Sequence, residues 1–97
     1  MIQSFKDKAS EEIFDGRNTK SARKICPKTL WKLARRKLDQ LDSVVELKEL
    51  KIPPGNRLEA LIGDRKGEYS IRINDQYRIC FVWIESSPGF VEITDYH

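Results

Sequence analysis

The hydrophobic period of this chain changes once, and that change does most to limit what it can fold into. From Leu30 to Val45 the apolar residues recur at helical spacing, and after Pro53-Pro54-Gly55-Asn56 they alternate as in extended chain. A short strand and two helices, followed by a four-strand antiparallel meander, point to an α+β architecture with the helices packed on one face of the sheet. At 97 residues, surface scaling lets about 65% of the unfolded chain's surface be buried. That suffices for one modest core, so residues 1–97 are expected to form a single domain. A nucleotide-cofactor fold of doubly wound size is excluded. The hydrophobic share of 39% is too high for a disordered tail.

Ile2–Phe5 reads as a short first strand. A helix is expected over Asp7–Gly16, with Asp7 as its cap and Gly16 as its terminator. Arg17–Lys24 reads as a basic loop or a continuing helical turn. Pro27 suits a first helical position, where its missing N–H is no loss. From there a helix is expected to about Val45, with Leu30, Ala34, Leu38, Leu41 and Val45 on one stripe and Lys28, Lys32, Arg35 and Arg36 opposite. The four expected strands are Arg57–Ile62, Glu68–Asn74, Tyr77–Ile84 and Phe90–Asp95. Their turns fall at Gly63–Gly67, Asn74-Asp75 and Ser86–Gly89, short enough to make an antiparallel meander. Trp31 and Trp83 are read as core.

Several function classes fall by counting. The longest apolar run, Ile79–Ile84, is far short of the roughly 20 residues that span a bilayer. The N-terminus lacks the long apolar region of a signal peptide. Cys26 and Cys80 make no disulfide framework and read as small core residues of a reduced, cytoplasmic protein. His97 is the one histidine, so no zinc cluster is expected, and Ser-His-Asp chemistry would rest on that terminal residue alone.

The net charge of +3 hides an asymmetry. Residues 1–40 carry 11 basic and 5 acidic side chains, against 7 and 10 in residues 41–97. Arg17, Lys20, Arg23, Lys24, Lys28, Lys32, Arg35, Arg36 and Lys37 follow one another with no acid between. Such a run is either a solvated helix face or a surface for a polyanion, of which a phosphate backbone is the commonest. Arg78 is the second oddity, a guanidinium among Ile79, Cys80, Phe81 and Val82 in the expected central strand. It needs a partner. An ion pair with Asp95 or Glu92 and an anion site on the open sheet face both remain possible at this point.

The stretch Pro53–Trp83 contains Pro-Pro-Gly-Asn-Arg, Gly-Asp-Arg and Ser-Ile-Arg-Ile-Asn followed by Tyr77-Arg78. It closely resembles the HigB toxins, plasmid-maintenance killer proteins of the RelE/ParE superfamily. The opening Ile2–Lys6, the helix Leu30–Val45 and the ending Asp95-Tyr96-His97 look like theirs too, so the resemblance covers essentially the whole chain. It implies a RelE-like fold and ribosome-dependent cleavage of mRNA with neither metal nor other cofactor. It also implies a HigA-like helix-turn-helix antitoxin as partner, with operator DNA reached only through that antitoxin, and no membrane. In that chemistry the RNA 2′-OH attacks the adjacent phosphate while a base, an acid and a cation assist.

By resemblance Arg78 would stabilise the phosphate. His97 would be general acid or base, and Asp95 would orient it or act as base. Tyr96 would stack on a base or bind a phosphate. Lys24, Lys28, Lys32, Arg35, Arg36, Arg65 and Arg72 would bind RNA or ribosome. Some family members carry a histidine where this chain has Glu59 and a lysine where it has Ile62. Glu59 can serve as a base or pair with Arg57 or Arg78. Ile62 cannot supply charge, so catalysis is expected to be attenuated unless Arg65 or Arg72 compensates. Two rival readings are a ParE-like inhibitor of DNA gyrase and a binding module that docks on ribosomes or antitoxin without cutting. The terminal Asp-Tyr-His favours the nuclease, and Ile62 favours the binder.

Overall fold

The computed structural model describes residues 1–95. Three helices precede a four-stranded antiparallel sheet, in the α+β order that the period change implies. α1 (Lys8–Phe14) starts where Asp7 Oδ1 accepts from the Ser10 N–H at 2.6 Å, and ends at Gly16, whose φ of +78° suits a glycine. The basic stretch after it is loop over residues 17–19 and then turns helical. It holds a separate helix, α2 (Lys20–Ile25), capped by Thr19 Oγ1, which accepts from the Ala22 N–H at 3.0 Å and donates to Glu12 Oε1 at 2.7 Å.

The long helix is shorter at both ends than its apolar spacing suggests. Pro27 precedes a 3₁₀ turn over Lys28–Leu30, and α3 runs from Trp31 to Ser43. Val44 is already extended, so it is Val44 that turns into the core while Val45 is exposed. Ala34, Leu38 and Leu41 are fully buried, as their spacing implies. Trp31 is buried and donates its Nε1–H to the Cys26 carbonyl at 2.9 Å, and Trp83 packs half-buried against the same core. After α3 the chain is pinned by Asn56, which is fully buried. Its amide donates to Gln40 Oε1 at 3.0 Å and to the Leu50 carbonyl at 3.1 Å, and its Oδ1 accepts from Lys37 Nζ.

The sheet order is β1-β2-β3-β4, with β1 Glu59–Ala60, β2 Glu68–Arg72, β3 Tyr77–Ile84 and β4 Ser87–Asp95. β1 is two residues long where six are expected. Arg57 sits in the left-handed region at φ 45°, and Ile62 leads straight into a 3₁₀ turn over Gly63–Arg65, so both ends are lost to turns. β2 stops at Arg72 because Asn74 Oδ1 accepts from the N–H groups of Gln76 and Tyr77, closing an Asx turn. The β3–β4 turn is Glu85-Ser86, both at positive φ, the geometry that best matches strand twist. Pro88 and Gly89 therefore lie inside β4 rather than in the turn. Proline is tolerated there because β4 is an edge strand.

The expected first strand does not form. Ile2–Phe5 runs beside β4, but its pairing is a single parallel bridge, Phe5 to Val91. Opposite Phe81, β4 carries two residues, Phe90 and Val91, so its edge is bulged and offers no regular ladder. Alternation along the strands puts Ile71, Ile79, Phe81, Val91 and Ile93 on the face that packs against α1, α2 and α3. The other face carries the polar chemistry.

Candidate active site

Register organises the open face into rungs. Arg72, Arg78 and Thr94 stand opposite one another across β2, β3 and β4, and Ser70, Cys80 and Glu92 form the next rung, with Glu59 of β1 opposite Ser70. Arg78 belongs to the middle strand, and only 11% of its side chain is exposed. Its Nε–H donates to Ser70 Oγ at 2.8 Å, and Nη2 donates to the Arg57 carbonyl at 2.8 Å and lies 3.8 Å from Glu59 Oε2. The left-handed turn at Arg57 aims that carbonyl at the guanidinium. The ion pair seen for Arg78 is thus with Glu59, which stays half exposed, and not with Glu92.

Glu92 has other partners. Its Oε1 accepts from Arg65 Nη2 at 2.8 Å and lies 3.6 Å from Lys6 Nζ. Arg65 also bonds Glu68 Oε1 at 3.0 Å, and the Glu92 hydrogen bond pushes the Arg65 pKa up. Burial raises the Cys80 pKa on the same face, and the nearby Thr94 hydroxyl and Arg65 oppose that shift. Thr94 Oγ1 is buried with no hydrogen bond of normal geometry among the described residues. Arg72 pairs with Asp75 through Nη2 and Oδ1.

Asp95 ends β4 opposite Tyr77, which puts it on the other parity from Arg78 and Thr94. It accepts from Gln76 Nε2 at 3.1 Å. Desolvation, with the Asp95 charge second, raises the Tyr77 pKa. Tyr96 and His97, the remaining candidates for the chemistry, lie outside the described residues. Ile62 is 87% exposed, so it is neither a strand residue nor a packed one.

The candidate RNA-binding residues fall on two surfaces. Arg65 and Arg72 share the open face with Arg78 and Glu59, whereas Lys24, Lys28, Lys32, Arg35 and Arg36 are exposed on the helical layer. Of the nine-residue basic run only Lys37 turns inward, to Asn56, and burial lowers its pKa. A groove lined by Phe14, Asp15, Gly16, Lys32, Arg35, Arg36 and Asp39 marks the basic face. Ser70 and the Arg57 carbonyl were not anticipated as supports of Arg78. Parity could have found Ser70, which shares the polar side of its strand with Arg72, but no sequence signal marks a backbone carbonyl.

Among the described residues, no group of three or more His, Cys, Asp or Glu is placed to hold a metal ion. No helix among them is long and apolar enough to cross a membrane.

A small α+β protein with a buried arginine on its open sheet face and a separate cationic helix has the form of a RelE-like toxin. Residues 3–97 match the family model described as the RelE-like toxin of type II toxin–antitoxin system HigB, and the chain belongs to that family. It is 39% identical over 85 residues to Toxin HigB-1 of Vibrio cholerae serotype O1, covering 88% of this chain and 86% of that protein. It is also 40% identical over 55 residues to an uncharacterized protein of Haemophilus influenzae, covering 57% of this chain and 54% of that one. Membership in a type II system implies a cognate antitoxin.

Proposed function

We propose that this toxin is a ribosome-dependent mRNA endonuclease that works without a metal, and that its chemistry is attenuated. The observation that carries the reading is Arg78, a nearly buried guanidinium held in place by Ser70 Oγ and the Arg57 carbonyl, with the Glu59 carboxylate beside it. A guanidinium oriented in advance suits a phosphate whose charge grows in the transition state. Glu59, half exposed, is able to take a proton. His97 is the assigned acid or base, Asp95 its orienting partner, and Tyr96 the stacking residue. The cationic helical layer supports docking on ribosomal RNA, while the open sheet face would meet the message. Attenuation follows from Ile62, whose exposed apolar side chain adds no charge where some related toxins carry lysine. A HigA-like helix-turn-helix antitoxin is the partner in this reading, and it alone contacts operator DNA.

The test is to map cut sites by primer extension on mRNA from translating cells, for wild type and for His97→Ala. Wild type should cut within translated message. His97→Ala should not, yet should remain folded and bind its antitoxin. Growth inhibition without any cuts would favour a gyrase inhibitor or a non-cleaving binder. Full cleavage by His97→Ala would move the proton transfers elsewhere, with Glu59 the next candidate.

A further inference from the structure

We propose that Phe90 is a stacking platform for a base of the message, set on the open sheet face by the bulge in β4. The inference rests on the reading of that face as the one that meets mRNA, and it adds a base-binding residue away from the reacting bond. Phe90 is the one aromatic among the exposed large apolar side chains of the described residues, with 55% of its surface open to solvent. Its φ of +48° lies in the left-handed region, where a bulky side chain is an outlier. Strain of that kind persists only where the surroundings enforce it, and it gathers at functional sites.

The N-terminal segment does the enforcing. Ser4 Oγ accepts from the Phe90 N–H at 2.9 Å, and the Ser4 carbonyl accepts from the Val91 N–H at 3.1 Å. On either side, the Gln3 N–H donates to the Pro88 carbonyl at 2.8 Å and the Lys6 N–H to the Val91 carbonyl at 2.9 Å. The segment that fails to become a strand is thus a strap that fastens the bulge, and a bulge re-aims the side chain it carries. The core has no use for this ring. Val91 beside it is fully buried, whereas Phe90 lines a surface groove with Lys6, Lys66, Glu68 and Val82. Glu68 and Val82 stand opposite one another on β2 and β3, and Val82 shares the parity of Arg78, so the groove belongs to the open face. Four residues of β3 separate Arg78 from Val82, about 13 Å at ~3.3 Å per residue.

What fits there is a flat ring carried on an anionic chain. Lys6 and Lys66 flank the groove and are exposed, while the nearby carboxylates are already engaged, Glu68 by Arg65 and Glu92 by both Arg65 and Lys6. A purely apolar partner would have no use for those lysines, whereas a nucleotide uses the ring for its base and the ammonium groups for its phosphates. The phenyl ring has neither donor nor acceptor, so it holds a base by its face and does not choose among bases. Arg78 and Phe90 then grip one single strand at separate points, a phosphate at the first and a base at the second.

Photo-crosslinking on purified ribosomes tests this. The ribosomes are programmed with mRNA that is 2′-deoxy across the window tested, so no attacking hydroxyl is present, and that carries 5-iodouridine at each position of the window in turn. Wild-type toxin should crosslink through Phe90, located by peptide mass spectrometry, from one neighbourhood of the message. Phe90→Asn tolerates the left-handed backbone but lacks the ring. It should melt like wild type and lose the crosslink. On ordinary mRNA it should need roughly 5- to 150-fold more toxin for half-maximal single-turnover cleavage, the range for one base–aromatic stack. Phe90→Trp should keep both the crosslink and the wild-type toxin requirement. The inference falls if wild-type crosslinks never land on Phe90, or if Phe90→Asn needs no more toxin than wild type. It falls too if Phe90→Asn loses its antitoxin while cutting normally, since the ring would then be a protein-docking site. Wild-type cleavage with no crosslink at Phe90 overturns this inference alone. A Phe90 crosslink from a toxin that leaves ordinary mRNA uncut overturns the nuclease reading alone.

Discussion

At the scale of single residues, Ile62 offers the sharpest test of attenuation. Two roles were open to it, a packed strand residue or a missing charge, and its exposure of 87% removes the first. Ile62→Lys should therefore melt like wild type, since exposed substitutions are usually worth within about 0.5 kcal/mol. It should cut faster in single turnover on ribosomes, by up to roughly 10²–10³ if a full transition-state charge is restored. A well-folded Ile62→Lys that cuts no faster would show that the lysine is not what limits the rate. Single residues were unevenly legible. Arg78 stood out because a guanidinium in an apolar run must be explained. Asn56 did not, because its bonds join α3 to the Leu50–Ile52 carbonyls across a loop, and no periodicity records such a junction. Of the carboxylates open to Arg78 from the sequence, Glu59 is one the structure places beside it, while Glu92 goes to Arg65 and Lys6. Cross-strand partners depend on register, and β1 proved too short for its register to be guessed.

At the scale of elements, α3 shows what spacing can and cannot reveal. Its buried stripe and its charged face follow directly from a period of 3.6. Its ends do not, because they are decided by a 3₁₀ entry at Lys28–Leu30 and by the extended turn at Val44. The turn expected at Ser86–Gly89 falls on Glu85-Ser86 instead, because neither residue announces positive φ, while the neighbouring Pro88-Gly89 looks like a turn and is strand. The exposed cations of this layer make a prediction of their own. Lys28, Lys32, Arg35 and Arg36 all face solvent, so changing the four to Gln leaves the core untouched. Ribosome pelleting by wild type should weaken steeply from about 50 to about 200 mM salt as counterions are released. The fourfold variant should show a flatter dependence, weaker binding and lower toxicity at an unchanged melting temperature. Pelleting by wild type that ignores salt would remove the RNA-docking role from α3.

At the scale of the whole molecule, one core holds two charged surfaces apart. The helical layer turns its cations outward, the sheet turns Arg72, Arg78 and Glu59 the other way, and between them lie Ile13, Leu38, Leu41, Ile79 and Phe81. Cys26 belongs to that core, at the joint between α2 and the turn leading to α3, with none of its surface exposed. Burial pushes its thiol from 9.0 up to about 11. The sign of the consequence follows from linkage. Above the unfolded thiol's pKa the unfolded chain loses a proton that the folded chain keeps, so stability is full below that value and declines as pH climbs to the folded one. A rise of this size corresponds to about 2–3 kcal/mol, lost between pH 9.0 and about 11. Tyrosines and lysines titrate in the same window, so the contribution is isolated by comparison with Cys26→Ala. That variant should carry a small fixed penalty from lost packing. Its urea-unfolding free energy should then fall less than wild type's across the window, and the gap between the two proteins should close and then reverse as pH rises. A gap that stays constant would mean the native thiol ionises as freely as the unfolded one, which a core holding both surfaces in place would not allow.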